Sequence, residues 1–380
     1  MLCASLAVDV GYICVLTAEQ QNNADAGAPA GAVALQEGDS MSVIDRIRDV
    51  IARNQQPQGY LSLDDQIIEI GWWHPVDQTF TALDVVDWEK RGYAVRVRAS
   101  HNNAPLFFAA LMGMTSTDVS REAVTVGSGQ CRGIWGVEGV TIPGNVMTDS
   151  YNSTEGLYDP GSSGDEGDVC SGRGIDGMGS VEVNGDMMTG LGYWPTLAGD
   201  AGVFSSGITT SSIDGMTAPY AEVPEGLTSQ GHLVLKADEN LTLEPGTYLY
   251  DSITLRAKAS ITITGPTTIY VASYSETQAK VAIDQGDIEA TGKGFVNTTQ
   301  DPHNLTLIIL GDEVILNGTQ DFYGTIVAPN ADVILSGTSD YYGLVIGKTV
   351  LMRGDFEFHV DESLDEFFDL IQPPPPTLVK

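Results

Sequence analysis

Apolar residues recur every three or four positions in MSVIDRIRDVIARN, at Val43, Ile44, Ile47, Val50 and Ile51. That stripe predicts an amphipathic helix, capped by Ser40 or Ser42. The spacing then drops toward two. QIIEIGWW, QTFTALDVV and YAVRVRAS read as strands, the last with Tyr93, Val95 and Val97 on one face and Arg96 and Arg98 on the other. APLFFAALMGM reads as a short buried helix, with TSTDVSREAVTV after it. Residues 39–126 are therefore expected to form a small α/β module. Ahead of it runs an apolar stretch, Met1 to Leu16, broken by Asp9.

Beyond residue 126 a repeat governs the pattern. VILNGTQDFYGTIVAPNAD (Val314 to Asp332), VILSGTSDYYGLVIGKT (Val333 to Thr349) and VLMRGDFEFHVDE (Val350 to Glu362) align on Gly318, Gly337 and Gly354, at steps of 19 and 17 residues. Each unit has an apolar run, a glycine, an acid three residues later (Asp321, Asp340, Glu357) and an aromatic (Phe322, Tyr341, Phe358). Tyr323, Tyr342 or His359 comes next. The period is too short for a helical repeat or a propeller blade and suits one coil of a parallel β-solenoid with tight glycine corners. Weaker copies begin near Val140, Val181, Leu233 and Leu305. The expected fold class is mainly β: a right-handed parallel β-helix over 127–365, of about ten coils, preceded by an N-terminal helix and the α/β module. The Pro-rich tail, 366–380, reads as a helix end and an extended segment that blunts the open end of the solenoid.

Met1 to Leu16 is shorter than the roughly 20 apolar residues that cross a bilayer. The first basic residue is Arg46, so the charged start of a signal peptide is missing. The stretch fits the outer end of a membrane helix whose earlier part lies upstream, with Asp9 and Tyr12 near the interface. LAVDVGYICVLTAEQQNNADAGAPAGA resembles the N-terminal region of TadE/TadG-like proteins of bacterial tight-adherence (Flp) pilus systems. Ala7, Asp9, Val10 and Gly11 match its A-[IV]-D-V-G element; Gln21, Asn22, Ala24, Asp25, Ala26 and Gly31 match its polar helix. Pro29 departs from that pattern, and the helix over 1–38 is expected to stop or kink near Ala28. The order of elements through A-V-R-V and P-L-F-F-A also resembles the TadG-like region. Most of 140–365, above all YGTIVAPNADV, resembles an uncharacterised bacterial envelope domain fused behind such N-termini, and its short coils resemble bactofilins. These resemblances imply a non-enzymatic, exported structural or adhesive protein of pilus assembly or the cell envelope. It would be anchored to the cytoplasmic membrane by the N-terminal helix, or extracellular, with pilus or envelope proteins or further copies of itself as partners.

Charge narrows the partners. Lys and Arg number 18 against 51 Asp and Glu, a formal net charge of −33. Such a field repels nucleic acid and favours cations. No cofactor is expected other than Ca²⁺, for which two acid sets offer oxygens. One is the column Asp321, Asp340 and Glu357, about 5 Å apart if the coils stack. The other is the loop DPGSSGDEGDVCSGRGIDG, with Asp159, Asp165, Glu166 and Asp168. The column reads first as solvated corner acids, with a bridging cation as the alternative, and the loop's spacing does not fit an EF-hand. The aromatic column reads as core stacking, with sugar or partner contact as the alternative. Cys131 and Cys170 are either a disulfide of an exported chain or two buried thiols. No catalytic residue is nominated: His74 and His101 lack partners, and GLVIGKT is one residue short of phosphate-loop spacing. Two rivals stand. A carbohydrate-active or carbohydrate-binding β-helix lacks the N-T-D, paired-Asp, G-H-G and R-I-K elements of polygalacturonases, and its lyase form needs basic groups. A self-polymerising bactofilin-like scaffold is the other.

Overall fold

The computed structural model describes residues 2–36, 40–54, 66–74, 78–83, 94–127, 131–190, 193–198, 202–203, 207–210, 222–272, 287–364 and 377–379. The chain is mainly β behind N-terminal helices. It divides into two compact units: Met1–Gly129 with Pro375–Lys380, and Gln130–Pro374.

In the first unit two helices, α1 (Leu2–Gln36) and α2 (Ser40–Asn54), join an antiparallel sheet of β1 (Gln66–His74), β2 (Thr79–Ala82), β3 (Ala94–Pro105) and β4 (Ser116–Val126). The sheet order is β2-β1-β3-β4. The alternation read in YAVRVRAS holds over the described residues: Val95 and Val97 are buried, Arg96 pairs with Glu69, and Arg98 with Glu122. Tyr93 and residues 84–86 lie outside the described residues.

Pro29 does not end the first helix, which runs on to Gln36. The reason is packing. Ala24, Ala28 and Ala32 are fully buried against Val43, Ile47 and Ile51 of α2 and Val95 of β3. A Cβ on Gly31 would lie 2.5 Å from the Ile47 side chain, so only small residues let the helices approach this closely. Buried apolar area on that scale outweighs one lost helical hydrogen bond. A second correction concerns APLFFAALMGM. It holds a short 3₁₀ turn, Ala109–Met112, that is largely exposed, with Leu111 at 84%. The tail also differs from expectation: Thr377 and Leu378 pair antiparallel with β4 of this unit.

The second unit consists of strands paired in parallel. One ladder runs His232–Leu235, Ser252–Leu255, Ile288–Gly292, Glu313–Gly318, then 332–337 and 349–354. A second runs Gly246–Tyr250, Thr267–Val271, Leu305–Ile309, then 325–327 and 344–346. A third face carries Asn240–Leu243, Ser260–Ile263 and Gly294–Asn297. Inward residues such as Ile253, Ile261, Ile269, Leu307, Val333 and Val350 form one buried apolar cluster.

The rungs do not stack in chain order. The last long strand, Tyr341–Asp361, pairs with the first strands of the unit, Gly133–Ile142 and Asn145–Tyr151. From there the ladders continue to Asp168–Ser171, Gly174–Gly177 and Val181–Val183, and then to Asp186–Thr189, Thr196–Leu197, Gly202–Val203 and Gly207–Thr210. The chain thus enters mid-stack, runs to one end, and winds back from the other.

The aligned glycines mark a column of backbone contact. Gly318, Gly337 and Gly354 are in register. Gly337 and Gly354 have φ of 125° and 140°. A Cβ on Gly337 would lie 2.5 Å from the Gly318 carbonyl oxygen, and one on Gly354 would lie 2.2 Å from that of Gly337. Gly144 abuts the backbone of Gly354, and Gly179 that of Gly144, so the column crosses the junction between the late and early strands. Alanine at Gly354 is expected to lower stability by about 2–4 kcal/mol. Gly174→Ala, where a Cβ meets open space, should stay within about 0.5 kcal/mol in the same urea titration.

Candidate functional site

The first unit presents an apolar end. Asp9, in α1, is 3% exposed, and its carboxylate accepts hydrogen bonds from the backbone amides of Phe107 (2.8 Å), Phe108 (2.9 Å) and Ala109 (2.7 Å). Tyr12 meets Phe107 edge to face at 5.7 Å. These contacts hold the loop that follows β3 against the helix. They leave Phe107, Phe108, Leu111, Met112 and Met114 exposed, and Val8 and Val10 of α1 as well. Apolar residues gathered at one end of a small unit mark a surface for lipid or partner rather than for water. The sequence singled out Asp9 through its motif, but nothing local revealed that its partners lie about 100 residues away.

In the second unit the predicted aromatic column forms. Phe322 and Tyr341 lie 6.0 Å apart, and Tyr341 stacks on Phe358 at 6.2 Å. The three are buried, as core residues. Beside them Tyr323 stacks on Tyr342 at 4.3 Å, and Tyr342 on His359 at 4.6 Å. Tyr158 packs on His359 at 3.8 Å and on Tyr342 at 5.7 Å, and donates to Asp149, which also holds His359 Nδ1. Burial, and then the bond to Asp149, push the Tyr158 hydroxyl pKa up. Burial also raises Glu357, against the pull of His359. A histidine, two carboxylates and a tyrosine could pass a proton. Yet the His359 and Asp149 side chains are only 1% and 3% exposed. The cluster acts as a polar tie between the late strand and Asn145–Tyr151, not as an open site.

The acids of the repeat also line up. The Asp340 amide donates to Asp321 at 3.2 Å, and the Glu357 amide to Asp340 at 3.0 Å. The acids three residues after Gly318 and Gly337 therefore each accept a backbone amide of the next rung. Asp159 caps the 3₁₀ turn Pro160–Ser162 by accepting from the Gly161 amide at 2.9 Å. Asp165 lies in the same loop. Glu166 pairs with Arg132 at 2.8 Å. Asp168 is buried and accepts from the amides of Arg132 (3.0 Å) and Asp186 (2.8 Å). Among the described residues, neither acid set brings three donor atoms within 4.8 Å of one another. Cys131 and Cys170 form a disulfide, with Cα atoms 6.1 Å apart. It fastens the point where the chain enters the unit to the strand Asp168–Ser171. GLVIGKT falls within the strand Tyr341–Asp361 and not ahead of a helix.

Comparison with known proteins adds to this geometry. Residues 20–124 match a family described as "Putative Tad-like Flp pilus-assembly". Residues 198–367 match a family described as "Domain of unknown function (DUF7305)". Among solved structures the chain is similar to the competence-associated pilin ComZ from Thermus thermophilus, at 10% identity and a TM-score of 0.30, over 88% of this chain and 92% of that one. No curated protein matches.

Two expected outcomes follow from the geometry around Arg132. Removing the disulfide with Cys131→Ser and Cys170→Ser frees a 39-residue span and should cost about 2–4 kcal/mol in denaturant titrations without reductant. Burial, and then the neighbouring Asp186 carboxylate, hold Asp168 well above the usual carboxylate value of 3.8, against the pull of two amides. A group raised in the folded state contributes stability below its unfolded pKa and loses it as pH rises toward the folded one. The thermal midpoint should therefore fall as pH rises above the ordinary carboxylate value of 3.8. Asp186→Asn, which removes the neighbouring charge, should flatten that fall.

Proposed function

We propose that this chain is a non-enzymatic structural component of Tad/Flp-type pilus assembly, seated on the outer face of the cytoplasmic membrane. The observation that carries this reading is the match of residues 20–124 to the Tad-like Flp pilus-assembly family, which falls on the helix-and-sheet unit. The apolar end built around Asp9 supports the membrane seat, because Phe107, Leu111 and Met112 are poorly placed for water and well placed for the lipid boundary. No helix among the described residues is long and apolar enough to cross a membrane; the contact proposed for this apolar end is with the lipid interface. We read the three parallel ladders of the second unit as a right-handed parallel β-helix, displayed outside the membrane as a stiff, acidic scaffold. The parallel registers and the glycine column support that reading.

Deleting the gene in its host should reduce surface pili counted by electron microscopy, and the intact gene should restore them. Unchanged piliation would count against the pilus role. The membrane seat has its own measurement: the purified chain should float with phosphatidylcholine vesicles, and Leu111→Glu with Met112→Glu should leave it in the dense fraction. These side chains are exposed, so the paired variant should keep its fold.

A further inference from the structure

A second cluster of polar groups lies where the loop after Gly294–Asn297 reaches the end of the late strand. Asp301 sits just before the 3₁₀ turn Pro302–Asn304 of that loop, and His303 within it. Asp361 closes the strand Tyr341–Asp361. Ser153 follows the early strand Asn145–Tyr151. Three segments distant in sequence therefore converge, two of them at the junction of the permuted rungs.

A hydrogen bond fixes one nitrogen of the ring. His303 Nε2 lies 3.1 Å from the Ser363 carbonyl oxygen, which only accepts, so Nε2 carries a proton. In the neutral ring Nδ1 then presents a lone pair. Nδ1 faces Asp301 Oδ1 at 3.0 Å, Asp361 Oδ2 at 3.8 Å and Ser153 Oγ at 3.5 Å. Asp361 is fully buried. Its Oδ1 accepts from the Ser153 amide (3.0 Å), the Ser363 amide (3.1 Å) and the Ser363 hydroxyl (2.6 Å). Its Oδ2 is buried with no hydrogen-bond partner. A proton on Nδ1 would serve Asp301, but at 3.8 Å it would leave Asp361 Oδ2 unsatisfied, and a buried carboxylate oxygen without a partner is costly.

We propose that Asp301, His303 and Asp361 form a divalent transition-metal site. One donor atom from each lies within 4.8 Å of the others. A cation about 2.0–2.2 Å from each would satisfy all three at once. The donor set selects the ion. One imidazole nitrogen with two carboxylate oxygens suits Zn²⁺ and its first-row neighbours, whereas Ca²⁺ prefers six or more oxygens. The Nε2–H bond to a backbone carbonyl is the outer contact that orients metal-binding histidines. Two carboxylates with a neutral ring carry two negative charges, which a divalent ion cancels. Bound there, the ion ties the loop at 301–303 to the end of the late strand, beside the turn at Ser153 that leaves the early one.

The test uses the full chain, stripped with EDTA and dialysed. Calorimetric titration with Zn²⁺ should give one saturable site, and the thermal midpoint should rise by about 5 °C at saturation. Co²⁺ should produce visible absorption on binding. His303→Gln and Asp301→Asn, both at partly exposed positions, should each weaken Zn²⁺ binding at least tenfold and abolish the shift. Asp361→Asn should do the same, and the other two variants keep the test decisive if it folds poorly. Ca²⁺ should give no comparable shift. Zn²⁺ binding unchanged in His303→Gln and Asp301→Asn would overturn the proposal, since it would then reflect diffuse attraction to an acidic surface. So would an absence of saturable binding together with an Nδ1-protonated His303 in ¹⁵N NMR at pH 7.5.

Discussion

Backbone pairing between Tyr341–Asp361 and the strands Gly133–Ile142 and Asn145–Tyr151 is the contact on which the second unit depends. Each strand of a parallel ladder satisfies its amides and carbonyls only through neighbours on both sides. Without this pairing the unit would be two shorter stacks, each with an exposed edge. The other junction features serve the same contact. Gly144 and Gly354 let the backbones meet, His359 and Asp149 tie them inside, and Ser150 donates to Glu362 at 2.6 Å across 212 residues of chain.

Much of the second unit was legible in sequence because its rules are local to each rung. The glycine at each corner, the acid three residues later and the aromatic beside it recur because each answers a demand that repeats every rung. Gly337 and Gly354 meet a backbone carbonyl, Asp321 and Asp340 receive the next amide, and Tyr341 continues the stacked core. The permuted order of rungs was not legible. An early strand such as Gly133–Ile142 presents the same alternating face whichever strand lies beside it. Nothing in its residues names Tyr341–Asp361 as the neighbour. The clusters that depend on this order, His359 with Asp149 and Asp361 with Ser153, were hidden for the same reason.

The first unit shows the opposite balance. Its motif residues stood out, but their work is tertiary. Asp9 binds three amides of a distant loop, and Gly31 gives room to Ile47. Pro29 is held inside a continuous helix by the alanine face that packs on α2, which local helix propensity does not reveal. The loop Phe107–Met114 is apolar in composition yet mostly exposed. Its exposure shows that apolar residues can mark an interface as readily as a core.

The entry of the chain at mid-stack bears on how the protein is made. When Gly133–Ile142 and Asn145–Tyr151 leave the ribosome, the strand that completes their open side lies about 200 residues downstream. At about 5–20 residues per second, that edge waits about 10–40 s for its partner. Residues 131–210 can pair among themselves in that interval, yet one face of their ladders stays unsealed, a surface prone to wrong pairing with other chains. The unit is therefore completed only once Tyr341–Asp361 has emerged, and its acidic charge, which makes neighbouring chains repel, helps to guard the open edge until then.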